Sequence, residues 1–274
     1  MALVFGKELL DKANKEKYAI GAFNFTNLET LQGIIRAAEK KRSPVIVQTT
    51  EGTIEYMGLK NIVALVHVMA MDSDIPIVLH LDHGRDFGLV EKCINGGYTS
   101  VMYDGSSLSF DDNISGTSKI VECAKLMDVS VEAELGQIST ESDMFTDPYQ
   151  AADFVSKTGV DFLAVSIGTQ HGPFTAPPKL DFDRISVIKE KVGIPLVMHG
   201  SSGLSFEDVK RAVECGINKI NINTDIRQVF SAAVRDVLKD ESIYKIRPYL
   251  SKGRDAVQKN VEKHIENLGS CGKV

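Results

Sequence analysis

The stretch IPIVLHLDHG (residues 75–84) carries an apolar run into three polar side chains, His80, Asp82 and His83, and closes on a glycine. A continuous apolar run, rather than an alternating one, is what a strand covered on both faces requires. Seven more such runs follow the same pattern: YAIGAFNF (18–25), SPVIVQTT (43–50), TSVMYDGS (99–106), VSVEAELG (129–136), VDFLAVSIG (160–168), IPLVMHGS (194–201) and INKININTD (217–225). The intervals between them have helical periodicity. Leu28, Leu31, Ile34, Ile35 and Ala38 recur at three- and four-residue steps behind Asn27, a capping residue. Phe206, Val209, Ala212 and Val213 follow Ser205, with Asp208 three positions on as its capping partner. Eight strand–helix units predict an α/β chain whose parallel sheet closes into a (β/α)8 TIM barrel. An open doubly wound sheet is the alternative, but no GxGxxG follows the first run. Residues 226–274 exceed one barrel helix and predict a C-terminal helical extension. No linker or low-complexity stretch interrupts the chain, so residues 1–274 are expected to form a single domain.

The apolar share of 43% is enough for a large core. A net charge of −6 and a pI near 5.6 argue against nucleic acid or an acidic membrane as the main partner. Cys93, Cys123, Cys215 and Cys271 are scattered without a CxxC pair, as in reduced thiols of a cytosolic protein. The opening residues MALVFGK are too short for a signal region, and no apolar run approaches membrane-spanning length. A cytoplasmic location is expected.

In a closed barrel the C-terminal strand ends build the site. Four of the six histidines fall there: His80 and His83 after the third run, His171 after the sixth, His199 at the end of the seventh. Only His67 and His264 lie elsewhere, within helical patterns. Three imidazoles from separate strands suit a zinc ion with an open fourth position. His83, His171 and His199 are the candidates, each preceding a glycine that lets backbone or ligand come close. His80 shares a strand face with Asp82, one pleat deeper, and reads as support rather than a ligand. Glu132 and Glu134 share parity in VEAELG and are expected to orient histidines and backbone groups. HGSSGLS and NINT offer backbone N–H, amide and hydroxyl groups after strands seven and eight, where barrels often take up phosphate.

The motifs HLDHG (80–84), VEAELG (131–136), GTQHG (168–172), LVMHGSSGL (196–204) and KININT (219–224) stand in this order, with AFNFTNLET before them and RPYL after. Together they resemble the class II, zinc-dependent ketose-bisphosphate aldolases over essentially the whole chain. The resemblance implies zinc on His83, His171 and His199, with Asp82 carrying a proton to and from the sugar oxygen. It implies that Gly172, Gly200, Ser201, Ser202, Asn221, Ile222, Asn223 and Thr224 hold dihydroxyacetone phosphate. It places a second acid on the loop after strand five, where QISTESDMFTDP (137–148) offers Glu141, with Asp143 as runner-up, in place of the family's Gly-Gly pair and adjacent acids. Thr50 and Arg247 resemble positions that contact the second phosphate.

The implied reaction is reversible cleavage of fructose 1,6-bisphosphate to dihydroxyacetone phosphate and glyceraldehyde 3-phosphate, in a homodimer or homotetramer. Tagatose 1,6-bisphosphate or another dihydroxyacetone-phosphate-dependent aldol is the alternative substrate, since Asn223 alone separates the versions. From other classes, a zinc hydrolase on the same barrel would carry a HxH pair on strand one, and GAFNF has no histidine. A non-catalytic sugar-phosphate binder would not need Asp82.

Overall fold

Alternate residues of each strand face two different cores, and this division builds the molecule. The computed structural model describes residues 3–141, 144–170, 172 and 178–274. After helix α1 (Gly6–Glu16), strands and helices alternate through β1 (Ile20–Asn24), α2 (Leu28–Lys41), β2 (Val45–Thr50), α3 (Glu51–Met57), α4 (Leu59–Met71), β3 (Ile77–Gly84), α5 (Phe87–Gly96) and β4 (Ser100–Tyr103). They continue through α6 (Phe110–Lys125), β5 (Ser130–Leu135), α7 (Pro148–Thr158), β6 (Phe162–Val165), α8 (Phe182–Val192), β7 (Leu196–Met198), α9 (Phe206–Cys215) and β8 (Ile217–Ile222). Two further helices follow, α10 (Thr224–Val237) and α11 (Ile246–Leu268). The strands form a closed parallel barrel in sequence order, with β8 pairing back onto β1.

The helices begin where their caps place them. Asn27 accepts from Thr30 N, and Thr30 reaches back in a capping box; Ser205 accepts from Asp208 N at 3.0 Å. The strands are shorter than the apolar runs. β4, β6 and β7 end before Asp104, Gly168 and His199, because the backbone leaves the ladder there to turn polar groups toward the barrel mouth. Leu79, Leu81, Leu163, Val165, Ile220 and Ile222 point outward and pack beneath the helices.

The inward positions are layered. At the bottom, Ile20, Ala22, Ile46, Val78, Phe162, Ala164 and Val197 form an apolar core closed by Leu10 and Ala13 of α1. Gln48, His80, Glu132 and Lys219 lie above it, all fully buried. At the top stand Asn24, Asp82, Glu134 and Asn221. The C-terminal extension is not loose: Val257, Val261, Ile265 and Leu268 of α11 are buried against the body, and Ala19 N donates to Leu268 O at 3.0 Å. Among the described residues no single helix is long and apolar enough to cross a membrane.

Candidate active site

At the mouth of the barrel a cleft of about 340 Å³ opens between the ends of β1, β2, β3, β7 and β8. This lies within the roughly 300–1,000 Å³ occupied by small-molecule sites. Asp82, His83, His199, Gly172, Gly200, Ser201, Ser202, Asn221, Asn223, Thr224 and Thr50 all line it. Eleven positions singled out from sequence thus converge on one cavity.

The backbone at His83 is unusual, and its geometry has a cause. β3 breaks register with β4 between Leu81 and Gly84, and His83 takes φ 52°, a left-handed value uncommon outside glycine. The bulge lets the adjacent Asp82 and His83 serve the same cleft, where a regular strand would send them to opposite faces. Gly84 follows because a Cβ there would lie 2.6 Å from Met102 O. Gly200, at φ 63°, has the same duty for His199: a Cβ would lie 2.4 Å from Gln170 O, so the β6 and β7 loops touch there only as bare backbone.

Each imidazole is held by a carboxylate behind it. His83 Nδ1 lies 2.9 Å from Asp104 Oδ2, and His199 Nε2 lies 2.9 Å from Glu132 Oε1. Carboxylates accept, so both ring nitrogens donate. The opposite nitrogens, His83 Nε2 and His199 Nδ1, then face each other at 3.0 Å as two acceptors when both rings are neutral. Two acceptors at this distance require a shared proton or a cation. Asp82, His83 and His199 each bring one ligand atom within 4.8 Å of the others, and His83, Asp104 and Glu134 do the same. Glu134 Oε2 is buried without a hydrogen-bond partner among the described residues, 3.7 Å from His199 Nδ1. Imidazole nitrogens, an orphaned carboxylate oxygen and buried acids suit a divalent cation such as zinc.

The charges follow this crowding. Burial alone would lower the His83 pKa, but Asp82, Asp104 and Glu134 outweigh it and raise it to about 9. Glu134 is pushed up to about 8, by burial first and then by the nearby Asp104. Asp104 is held well below the usual range; burial opposes this, but hydrogen bonds from His83 and Ser106 prevail. His80 falls well below its ordinary value through burial and the Lys219 charge, and its Nδ1 meets Ser100 Oγ at 2.8 Å.

Asp82 is clamped from both sides. Asn24 Nδ2 donates to Oδ2 at 2.9 Å and Asn221 Nδ2 donates to Oδ1 at 3.0 Å. Gln48 in turn donates to Asn24 Oδ1 at 2.8 Å. A carboxylate so fixed keeps lone pairs for a proton delivered from the cleft. Toward β8, the cleft wall is the Gly200–Ser202 turn and the start of α10, whose first N–H groups favour an anion.

Other expectations land elsewhere. Ile222 turns its side chain into the outer core, leaving only backbone for any ligand. Glu141 is exposed on the loop after β5 and does not line the cleft. Arg247 lines a separate, more open groove of about 840 Å³ with Glu29, Gln32 and Arg254, so within its own chain it does not reach the cleft. His171 and Asp143 lie outside the described residues. Glu132 orients a histidine as expected, whereas Glu134 Oε2 makes no hydrogen bond among the described residues and stands within ion-pair reach of both imidazoles, 3.7 Å from His199 Nδ1 and 4.0 Å from His83 Nδ1. Sequence reading missed Asn24, Asp104, Lys219 and Arg227. Asp104 stands at a strand end like the others, a legible signal, whereas Lys219 is a charge inside an apolar run whose inward direction shows only in the closed barrel. Arg227 lines the cleft one turn into α10, where nothing in the pattern marks it.

Comparison with known proteins agrees with this geometry. The family model described as fructose-bisphosphate aldolase class-II matches residues 4–273. The chain is 42% identical to the fructose-bisphosphate aldolase of Geobacillus stearothermophilus, over 100% of this chain and 99% of that one. It is 40% identical to the Helicobacter pylori fructose-bisphosphate aldolase, over 99% and 100%. The crystal structure of the YdjI aldolase from Escherichia coli K12 superposes with a TM-score of 0.91 at 36% identity, covering 99% of both chains. With its motifs, closed barrel and clamped carboxylate at one mouth, the chain belongs to the class II fructose-bisphosphate aldolase family of lyases.

Proposed function

We propose that residues 1–274 act as one catalytic unit for the reversible, zinc-dependent aldol cleavage of fructose 1,6-bisphosphate into dihydroxyacetone phosphate and glyceraldehyde 3-phosphate. The observation that carries this reading is Asp82, fixed by two amides beside two imidazoles whose acceptor nitrogens face each other. His83, His171 and His199 would hold zinc, which when bound supplies a Lewis acid for negative charge developing on the substrate's oxygens.

Asp82 takes the proton from the C4 hydroxyl as the C3–C4 bond breaks, and in the reverse direction returns it. Its two amide donors keep the carboxylate plane aimed into the cleft and lower its tendency to swing onto His83, 3.9 Å away. The enediolate carbon is then protonated by an acid of the β5–α7 loop, Glu141 or Asp143. Gly172, Gly200, Ser201 and Ser202, with Asn221 to Thr224 at the start of α10, bind the dihydroxyacetone phosphate end. Ser201 contributes mainly as scaffold, since its hydroxyl already donates to Asn221 O at 2.6 Å. Thr50, at the end of β2, and Arg227, one turn into α10, also line the cleft and suit the second phosphate.

The protein is proposed to be cytoplasmic and to assemble as a homodimer or homotetramer. Self-association is supported by Arg247, which can meet substrate only at another copy's cleft, and by its neighbours Tyr244 and Ile246, 82% and 59% exposed. A coupled assay with fructose and tagatose bisphosphates, with and without chelator, tests the reading. Chelator-sensitive cleavage of the fructose sugar is expected. Preference for tagatose would move the substrate to the C4 epimer. Cleavage that survives complete metal removal would end the zinc reading.

A further inference from the structure

We propose that Lys219 is a positioning residue that sets, from one buried point, both a metal-holding imidazole and the proton-carrying carboxylate. Lys219 is fully buried in β8, at an inward position below Asn221. Its Nζ lies 2.8 Å from Glu132 Oε2, 2.8 Å from Asn221 Oδ1 and 3.4 Å from His80 Nε2. An ammonium has three donors, and three acceptors surround this one.

Two of those acceptors lead to the site. Through Glu132, whose other oxygen accepts from His199 Nε2, Lys219 fixes the carboxylate that turns His199 Nδ1 toward the cleft. Through Asn221, it determines which end of an amide faces Asp82. With the oxygen drawn to the ammonium, the NH2 end must donate to Asp82; with the ammonium gone, the amide is free to flip and set oxygen against oxygen. The third acceptor accounts for His80, whose ring is held neutral so that Nε2 can accept. A buried lysine serving only the fold would need one paired carboxylate. This one distributes its donors among groups that each touch the site.

The inference rests on the zinc reading, and the test separates the two. Zinc is titrated into metal-free wild type, Lys219→Met, Glu132→Gln and the double variant, with affinity read by competition against a chelating dye and melting recorded alongside. Each single variant is expected to bind zinc about 10- to 100-fold more weakly. The double variant should be no weaker than the worse single one, because both act along one path. At saturating zinc, Lys219→Met should also lose on the order of tenfold more kcat than Glu132→Gln, since only it releases Asn221. Wild-type zinc affinity in a folded Lys219→Met protein, or losses that multiply in the double variant, would overturn the proposal. Equal kcat for the two single variants would remove its Asp82 branch. Should Lys219→Met not fold, the double variant, which has no unpaired charge, decides: wild-type affinity there refutes the path through Glu132. Failure of wild type itself to bind zinc would instead end the zinc reading.

Discussion

The two ends of the barrel interior are built on the same inward-facing strand positions and answer to opposite chemistry. At the bottom, Ile20, Ala22, Ile46, Val78 and Val197 meet the underside of α1 in one apolar cluster. At the top, Asn24, Asp82, Glu132, Lys219 and Asn221 occupy the next positions along those strands or their neighbours, nearly as buried but connected by hydrogen bonds. Burial is therefore not what separates them. The bottom gains stability from each side chain it removes from water, whereas the top spends some of it to hold charges in fixed orientation. Substitutions at the two ends should fail in different ways.

The largest expected effect is at the top. Asp82→Ala should lower kcat by about 10²- to 10⁴-fold, the usual worth of a positioned acid or base, while zinc stays bound. Elemental analysis of the purified variant checks the second half, and loss of metal would make Asp82 a ligand instead.

The contrasting change is Leu10→Ala in α1, fully buried against the bottom layer. It should cost about 2–5 kcal/mol of stability. The fraction that remains folded should keep wild-type kcat and zinc affinity, measured well below the melting point. A matching loss of kcat would mean that the two ends are mechanically coupled. Between these extremes lies Asp104→Asn, which keeps the shape but weakens the grip on His83 Nδ1. Zinc affinity is expected to fall about 10- to 100-fold with little change in melting of the metal-free protein.

The same contrast explains what the sequence made legible. Continuous apolar runs read directly as barrel strands, since packing on both faces leaves no other solution for them. Histidines and acids at strand ends stood out because charge at the end of a buried run has few structural uses. Which groove Arg247 lines was not legible, because a resemblance gives a residue's place along the chain and not the direction its helix faces. His83 and Asp82 were grouped correctly, though strict alternation separates them; the bulge at Leu81–Gly84 that unites them leaves only a glycine as its trace. Lys219 went unread for a related reason: a lone lysine in an apolar run looks like an edge until the barrel closes around it.

The smallest effect is the most diagnostic of the top's character, because bound metal cancels it. In the metal-free protein His83 titrates near 9, above its ordinary 6.5, and Glu134 near 8, above its ordinary 4.5. Both groups bind protons more tightly folded than unfolded. Their contributions are therefore complete at low pH and decline as pH rises, from about 4.5 through 8 for Glu134 and from about 6.5 through 9 for His83. Melting of chelator-treated protein should fall across that range. Zinc must displace the His83 proton to be held, so its affinity should climb about tenfold per pH unit and level off near 9. Bound metal stabilises with the logarithm of its affinity, so this gain offsets the lost proton, and melting at saturating zinc should stay nearly level between about pH 6.5 and 9, where the metal-free protein falls. Calorimetric zinc titrations in buffers of different ionisation enthalpy would count the protons released at pH 7, with about one expected from His83 and a second if Glu134 also gives up its proton. Zero release, or parallel melting trends with and without metal, would show that His83 is already neutral and that the carboxylates around it hold some other charge.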